Sequence, residues 1–339
     1  MKSAVIGYGL ALTLALVGAY QTWTHEGDPD LSGSTIILDV ERDELEAIVF
    51  ESPSGTVRLE LREDELGPYV WAQTEPSDVP AAEPDPAEPS PPKATPVPAK
   101  PQAFKAGAAG ETIAKGAAPF VAKRVLEGVD DSKLEELGFG EGQASLTFHR
   151  KGRDAKTYEV GAKAYGGSNR YVRDPEDGTV YIVAASLVDS LETAERSLPD
   201  RSLLAFDVTD IDTISVRGGE AEATYTQNNP DDRAARFWST PGSSEPSPAA
   251  AGWFDKALRL KVLRYIEPAN KPDGLQEAFS MTVSAGRKSS EAIIYRAIGD
   301  DGNEAWYASS THNRALVQLQ SSSAAEAQAD LASVLDVEP

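Results

Sequence analysis

Leu38-Asp39-Val40 … Ile48-Val49-Phe50 … Trp71 in the first half of the chain recurs as Phe206-Asp207-Val208 … Ile214-Ser215-Val216 … Trp238 in the second. Downstream, Leu146-Thr147-Phe148 … Arg170-Tyr171-Val172 … Tyr181-Ile182-Val183 recurs as Met281-Thr282-Val283 … Ala305-Trp306-Tyr307 … Leu316-Val317-Gln318. Trp71 to Trp238 is a step of 167 and Leu146 to Met281 a step of 135. The step changes once, after Trp71, where the first half carries a long Pro/Ala/Glu-rich insertion and the second half only the shorter Thr240-Pro241-Gly242-Ser243-Ser244-Glu245-Pro246-Ser247-Pro248. One insertion accounts for both steps, and the pattern predicts a tandem duplication of a single unit.

Working outward, each copy opens with alternating β-branched and aromatic runs: Thr35–Val40, Ala47–Glu51, Thr56–Leu61 and Tyr69–Ala72, matched by Leu203–Val208, Thr213–Arg217, Ala221–Thr226 and Ala235–Ser239. Helices are expected next, at Ala117–Leu126 and Asp131–Leu137 in the first copy and Gly252–Tyr265 in the second. Four more strands follow, and a closing helix, Ala185–Arg196 or Ala324–Leu335, ends each copy. Short connections between successive strands imply antiparallel meanders with helices laid over one face. The expected fold class is α+β: a duplicated unit of antiparallel meander plus helix, preceded by one transmembrane helix. The expected divisions are an anchor at 4–23, a four-strand unit at 33–74, a linker at 75–107, a helix-sheet-helix unit at 108–198, a second four-strand unit at 199–242 and a second helix-sheet-helix unit at 250–337. Residues 75–101 hold almost no apolar bulk to bury, so they read as an extended tether that could reach roughly 80 Å.

Ala4 to Trp23 carries no charge and is long enough to cross a bilayer as a helix. Lys2 lies on one side and the acidic His25-Glu26-Gly27-Asp28-Pro29-Asp30 on the other, which places the N-terminus in the cytoplasm and the body outside it. The other reading of this stretch is a cleaved secretory signal ending at Val17-Gly18-Ala19; both deliver the body to the same compartment. Gly7, Ala11, Ala15 and Ala19 fall at four-residue spacing along one helix face, where small residues let two backbones approach closely. That stripe predicts packing against a membrane partner or a second copy of the chain.

A formal net charge of −22 argues against nucleic acid and against an anionic leaflet as partners. The chain has no cysteine, which removes disulfides, thiol nucleophiles and thiolate metal sites together. His25, His149 and His312 are far apart, there is no Gly-x-Ser-x-Gly elbow, and no acidic pair is placed across a cleft by its spacing. Asp174-Pro175-Glu176-Asp177-Gly178 and Asp300-Asp301-Gly302-Asn303-Glu304 lack the periodicity of a calcium loop and read as hairpin turns. Gly138-Phe139-Gly140-Glu141-Gly142 precedes a strand, so no helix N-terminus would face a phosphate there. No catalytic, cofactor-binding or metal residue is expected. Trp71 and Trp238 each end a strand before a Pro-containing exit; they read as lids packing on the helix that follows, or as aromatics for an interaction.

Trp71 with Pro76, Leu134-Glu135-Glu136-Leu137-Gly138-Phe139, Gly161-Ala162-Lys163, Gly166-Gly167-Ser168-Asn169-Arg170-Tyr171-Val172-Arg173, Val180-Tyr181-Ile182-Val183, Arg201-Ser202-Leu203-Leu204-Ala205-Phe206-Asp207 and Trp238 occur in this order. In combination they resemble a bacterial family of unknown function: single-span envelope proteins encoded beside Gld-type ABC-2 transporter genes, of the kind associated with gliding. The resemblance covers roughly residues 70 to 240, and the long Pro-rich insertion departs from it. It carries over no catalytic residues. What it implies is a partner, an ABC-2-type permease or its Gld-like soluble-domain subunit. The expected function is a non-catalytic accessory or scaffold subunit on the periplasmic side of the bacterial inner membrane. The alternative is a glycan- or peptide-binding envelope module using the groove between the two repeats.

Overall fold

A computed structural model describes residues 34–77, 100–140, 142–299 and 302–335. The apolar span at 4–23, with its small-residue stripe, lies outside the described residues, as do residues 78–99 of the tether and the Asp300-Asp301 pair. None of the described helices is long and apolar enough to cross a membrane.

The first half contains strands β1 (Thr35–Leu38), β2 (Leu45–Ser52), β3 (Gly55–Asp64), β4 (Gly67–Pro76), β5 (Gln102–Lys105), β6 (Phe120–Ala122), β7 (Arg124–Leu126), β8 (Ala144–Arg150), β9 (Arg153–Lys163), β10 (Asn169–Arg173) and β11 (Val180–Ala184). Its helices are α1 (Ala108–Gly116), α2 (Asp131–Glu136), α3 (Ala185–Glu192) and α4 (Ala194–Ser197). The second half contains β12 (Thr213–Gly218), β13 (Ala221–Asn228), β14 (Phe237–Ser239), β15 (Val262–Tyr265), β16 (Gln276–Ala285), β17 (Lys288–Ile298), β18 (Glu304–Ser310) and β19 (Leu316–Leu319), with α5 (Pro248–Ala257), α6 (Ser321–Ala329) and α7 (Ala332–Leu335). The class is α+β, and the strand pairings of the described residues are antiparallel.

Two large sheets organise the chain. The first runs β5-β4-β3-β2-β8-β9-β10-β11-β7 and the second β14-β13-β12-β16-β17-β18-β19-β15. Apart from the extra edge strand β5, the orders correspond strand for strand. The register agrees at the centre as well: Ile48 sits between Leu59 and Phe148, and Ile214 between Tyr225 and Val283. Apolar residues alternate inward along these strands, as at Val57 and Leu59 on β3 or Met281 and Val283 on β16. Helices cover the apolar face, α1 packing on α3 and α5 on α6 and α7. Each sheet thereby has its own core, the first ending at Leu198 and the second beginning at Leu203.

Several predicted elements differ from what forms. The helix expected over Ala117–Leu126 is instead α1, which stops at Gly116, followed by β6 and β7. Pro119 has no N–H to continue a helix and disfavours helical geometry at Ala118, so the helix has to end there. The helix expected over Gly252–Tyr265 starts earlier, with Pro248 in its first turn and the Ser247 hydroxyl accepting from the Ala250 N–H. It stops at Ala257, and Val262–Tyr265 forms β15 against the free edge of β19. Leu203–Val208 forms no strand, and Thr35–Leu38 pairs only with β6. Both edges of β12 are taken by β13 and β16, and both edges of β2 by β3 and β8, so neither leading run has a place in its sheet. At the ends of the 75–107 stretch, β4 runs to Pro76 and β5 covers Gln102–Lys105, where Phe104 is buried against β4.

Gly138, which follows α2, is a packing feature. Gly138 has a φ of +82°, and a Cβ there would lie 2.6 Å from the Ala162 nitrogen. The hairpin glycines Gly166, Gly167 and Gly178 also have positive φ, and in the last of these turns Asp174 is buried in an ion pair with Lys156 at 2.8 Å.

Candidate functional site between the two sheets

The connector between the halves is stitched to both sheets. On one side Gly107 N–H donates to the Leu198 carbonyl at 2.8 Å and Asp200 N–H to the Lys105 carbonyl at 2.9 Å, beside an Ala106–Pro199 bridge. On the other, Val262 N–H donates to the Arg201 carbonyl at 3.1 Å, beside a Ser202–Lys261 bridge. The same few residues thus cap one end of each of the edge strands β5 and β15 and fix the sheets side by side.

Side chains converge on this seam from four elements. Lys105, at the end of β5, places Nζ 2.5 Å from Asp200 Oδ2 and 3.3 Å from His312 Nε2. His312 Nε2 in turn lies 2.7 Å from the same Asp200 oxygen. All three side chains are largely buried. Burial opposes the charged form of Asp200, but the hydrogen bonds from His312 and Lys105, the Lys105 charge and the Ser202 N–H outweigh it. The carboxyl is held well below the usual carboxylate range. Around this triad Tyr265 donates its hydroxyl to the Asp200 carbonyl at 3.1 Å, and burial raises its phenol above the ordinary tyrosine value. The wholly buried Asn313 donates to the Ser202 carbonyl at 2.8 Å and to the Tyr265 oxygen at 3.1 Å.

A second clamp lies nearby. Arg314 grips Asp64 with two hydrogen bonds, Nε–Oδ2 at 2.5 Å and Nη2–Oδ1 at 2.9 Å, and its guanidinium carbon sits 4.1 Å from the Tyr69 ring centre. Arg314 has a φ of +58°, an unusual conformation for a residue with a Cβ. The turn holds it there: Ser310 Oγ donates to Asn313 Oδ1 at 2.6 Å and accepts from the Asn313 N–H at 3.0 Å. The β18–β19 turn is therefore fixed from within and presents His312 and Arg314 to the first sheet and Asn313 to the connector.

Trp71 and Trp238 occupy corresponding strands and face different partners. Trp238 is buried and packs on Phe254 of α5, ring centres 4.8 Å apart. Trp71 is half-buried and meets Tyr265 of the other sheet edge-on at 6.4 Å, with Arg62 over its ring. His149 alternates with the buried Phe148 and is half-exposed on the opposite face. Among the described residues no group of three or more His, Asp or Glu is arranged to hold a metal ion.

Of the residues discussed from the sequence, Trp71 and His312 join the seam; Lys105, Asp200, Tyr265, Asn313 and Arg314 carry no distinguishing motif. The signal available was weak: two charged residues in otherwise buried positions, Lys105 beside Phe104 and Asp200 beside Pro199. His312 has a carboxylate partner in Asp200, and both its Nε2 and that carboxylate also contact Lys105. In this arrangement a buried anion ties a cation from one sheet to an imidazole from the other.

Above the triad, between the β3–β4 hairpin and the β16–β17 hairpin, opens a cleft of about 570 Å³. Lys105, His312 and Arg314 form its floor, Phe206 and Pro68 its apolar side, and Arg287 and Lys288 its rim.

No curated protein and no solved structure matches the chain. A family match spans residues 111–277, from α1 through the connector into β16, and takes in Asp200, Trp238 and Tyr265 but not Lys105, His312 or Arg314. Over those residues the chain matches a family described as a domain of unknown function (DUF4340).

Proposed function

We propose that the protein is a non-catalytic scaffold of the bacterial envelope: a single-pass inner-membrane protein, its N-terminus cytoplasmic and its body in the periplasm, serving as an accessory subunit of an ABC-2-type transporter. We also propose that its two sheets descend from one duplicated module. The observation that carries the scaffold reading is the seam. Two sheets of one strand order are joined edge to edge, and the charged groups at the junction are engaged with each other. Such a body suits docking, because little ordering entropy is lost when a partner binds a surface that is already fixed. The apolar stretch at 4–23 and the resemblance to envelope proteins encoded beside Gld-type transporters support the membrane placement and the partner.

The test is recovery of partners from solubilised membranes with the full chain as bait. Replacing Gly7, Ala11 and Ala15 by leucine is expected to reduce co-purification of the permease or its soluble-domain subunit, because bulk on that face separates the helices. Unchanged recovery of every partner contradicts the reading.

A second reading is favoured by one feature, the cleft. Its volume falls in the range of small-molecule sites, and polar groups converge beside an apolar wall. On this reading the body is a binding module for an envelope ligand, held in the groove between the sheets.

A further inference from the structure

We infer that the cleft takes an anionic sugar, a saccharide bearing a carboxylate or phosphate; this rests on the second reading above. Charge supplies the first argument. On a chain of net charge −22, this cleft gathers Lys105, Arg287, Lys288 and Arg314 against Glu65 and Glu111. Most of these charges already have partners: Lys105 has Asp200, Arg314 has Asp64, and Glu111 has Arg42 at 2.7 Å. Among the described residues, Arg287 and Lys288, exposed at the tip of the β16–β17 hairpin, make no ion pair; Glu65 lines the same cleft, and Asp212 is held at the tip by the Gly286 N–H at 2.5 Å. The unmatched positive charge is local, and the negative field of the whole molecule repels a long polyanion or an anionic bilayer. A small anion can use the rim without meeting that field over a large surface.

The walls supply the second argument. Ser289 and Thr311 bring hydroxyls to the same opening, and half-buried Phe206 offers an aromatic side beside Pro68. Hydroxyl donors, an aromatic ring and a cation together suit a polyol ring carrying one charge. An extended peptide is disfavoured, because the connector already occupies the ends of the nearby sheet edges, at Lys105 of β5 and Val262 of β15.

The experiment is calorimetric titration of the full chain in detergent with trigalacturonate, glucose 6-phosphate, neutral maltotriose and inorganic phosphate, on the wild type and on the double variant Arg287→Ala, Lys288→Ala. The substituted side chains are exposed, so folding is expected to persist, and circular dichroism checks it. Saturable binding of at least one anionic sugar, weakened about tenfold or more in the variant and at least about tenfold tighter than maltotriose, is the expected result. The two anionic sugars separate the carboxylate from the phosphate form of the ligand. Equal binding of maltotriose, or anionic binding untouched by the variant, overturns the anionic assignment and leaves a ligand-binding module standing. Inorganic phosphate binding as tightly as the sugars overturns the saccharide part. Failure of all four probes overturns both the inference and the reading beneath it.

Discussion

Asp200→Ala is expected to lower the stability of the body by about 3–5 kcal/mol, the range for removing one partner of a buried pair. Lys105 Nζ and His312 Nε2 lose their common acceptor, and Lys105 stays largely buried with its charge uncompensated. Asp200→Asn keeps an acceptor oxygen and the side-chain volume, so its loss is smaller. Urea unfolding at neutral pH measures both. Because each sheet has a separate core, the variant is also expected to unfold in two steps set further apart than those of the wild type. Acid provides a second readout. The folded-state pKa of Asp200 is depressed, so its contribution is fully present above the unfolded aspartate value of about 3.9 and is lost as pH falls below it towards the folded value. The stability gap between wild type and Asp200→Ala should therefore hold constant across neutral pH and close only on strong acidification. A gap that closes above pH 5 would mean that another group carries the clamp.

Trp253→Ala is expected to have an effect of the same order, about 3–5 kcal/mol, confined to the second sheet. Trp253 is 1 % exposed, stands edge-on to both Phe254 and Phe279, and donates its indole N–H to the Ala327 carbonyl at 2.8 Å. Truncation opens a cavity under α5 and leaves a buried carbonyl of α6 without its donor. In the first sheet the corresponding helix α1 contributes only Ile113 and Ala114 to the core, and the aromatic bulk comes from Phe120, Phe148 and Tyr158. Hydrogen exchange should accordingly quicken in β16–β19 and α6 of the variant while β2, β3 and β8 keep their protection. Equal loss in both sheets would mean that the two cores are one cooperative unit.

The same contrast shows what the sequence could reveal. Strands of the central meander were legible because Leu59, Phe148 and Ile214 alternate with polar residues, a period that burial on one face imposes. Element ends were less so: Pro119 is a visible helix breaker, yet the apolar Phe120–Leu126 stretch suits a helix or a strand equally, and only the open edge beside β11 decides. The leading runs Thr35–Val40 and Leu203–Val208 have strand composition without a free edge to join, a tertiary fact no local pattern contains. Trp71 and Trp238 were legible as a pair, but not that one would meet the following helix and the other Tyr265. The seam was almost invisible. Lys105, Asp200 and His312 are separated by 95 and 112 residues, and nothing in their local surroundings marks them as partners until the connector brings β5 and β15 together.

The most direct test of the central claim, that two sheets form one fixed body across a charged seam, is a distance measurement between spin labels. The cysteine-free chain allows labelling at Tyr165→Cys and Ile298→Cys, exposed positions on the first and second sheets, by double electron–electron resonance. A single narrow distance distribution in the wild-type background, broadened by Asp200→Ala, is the predicted result. A broad distribution with Lys105, Asp200 and His312 all intact would contradict it.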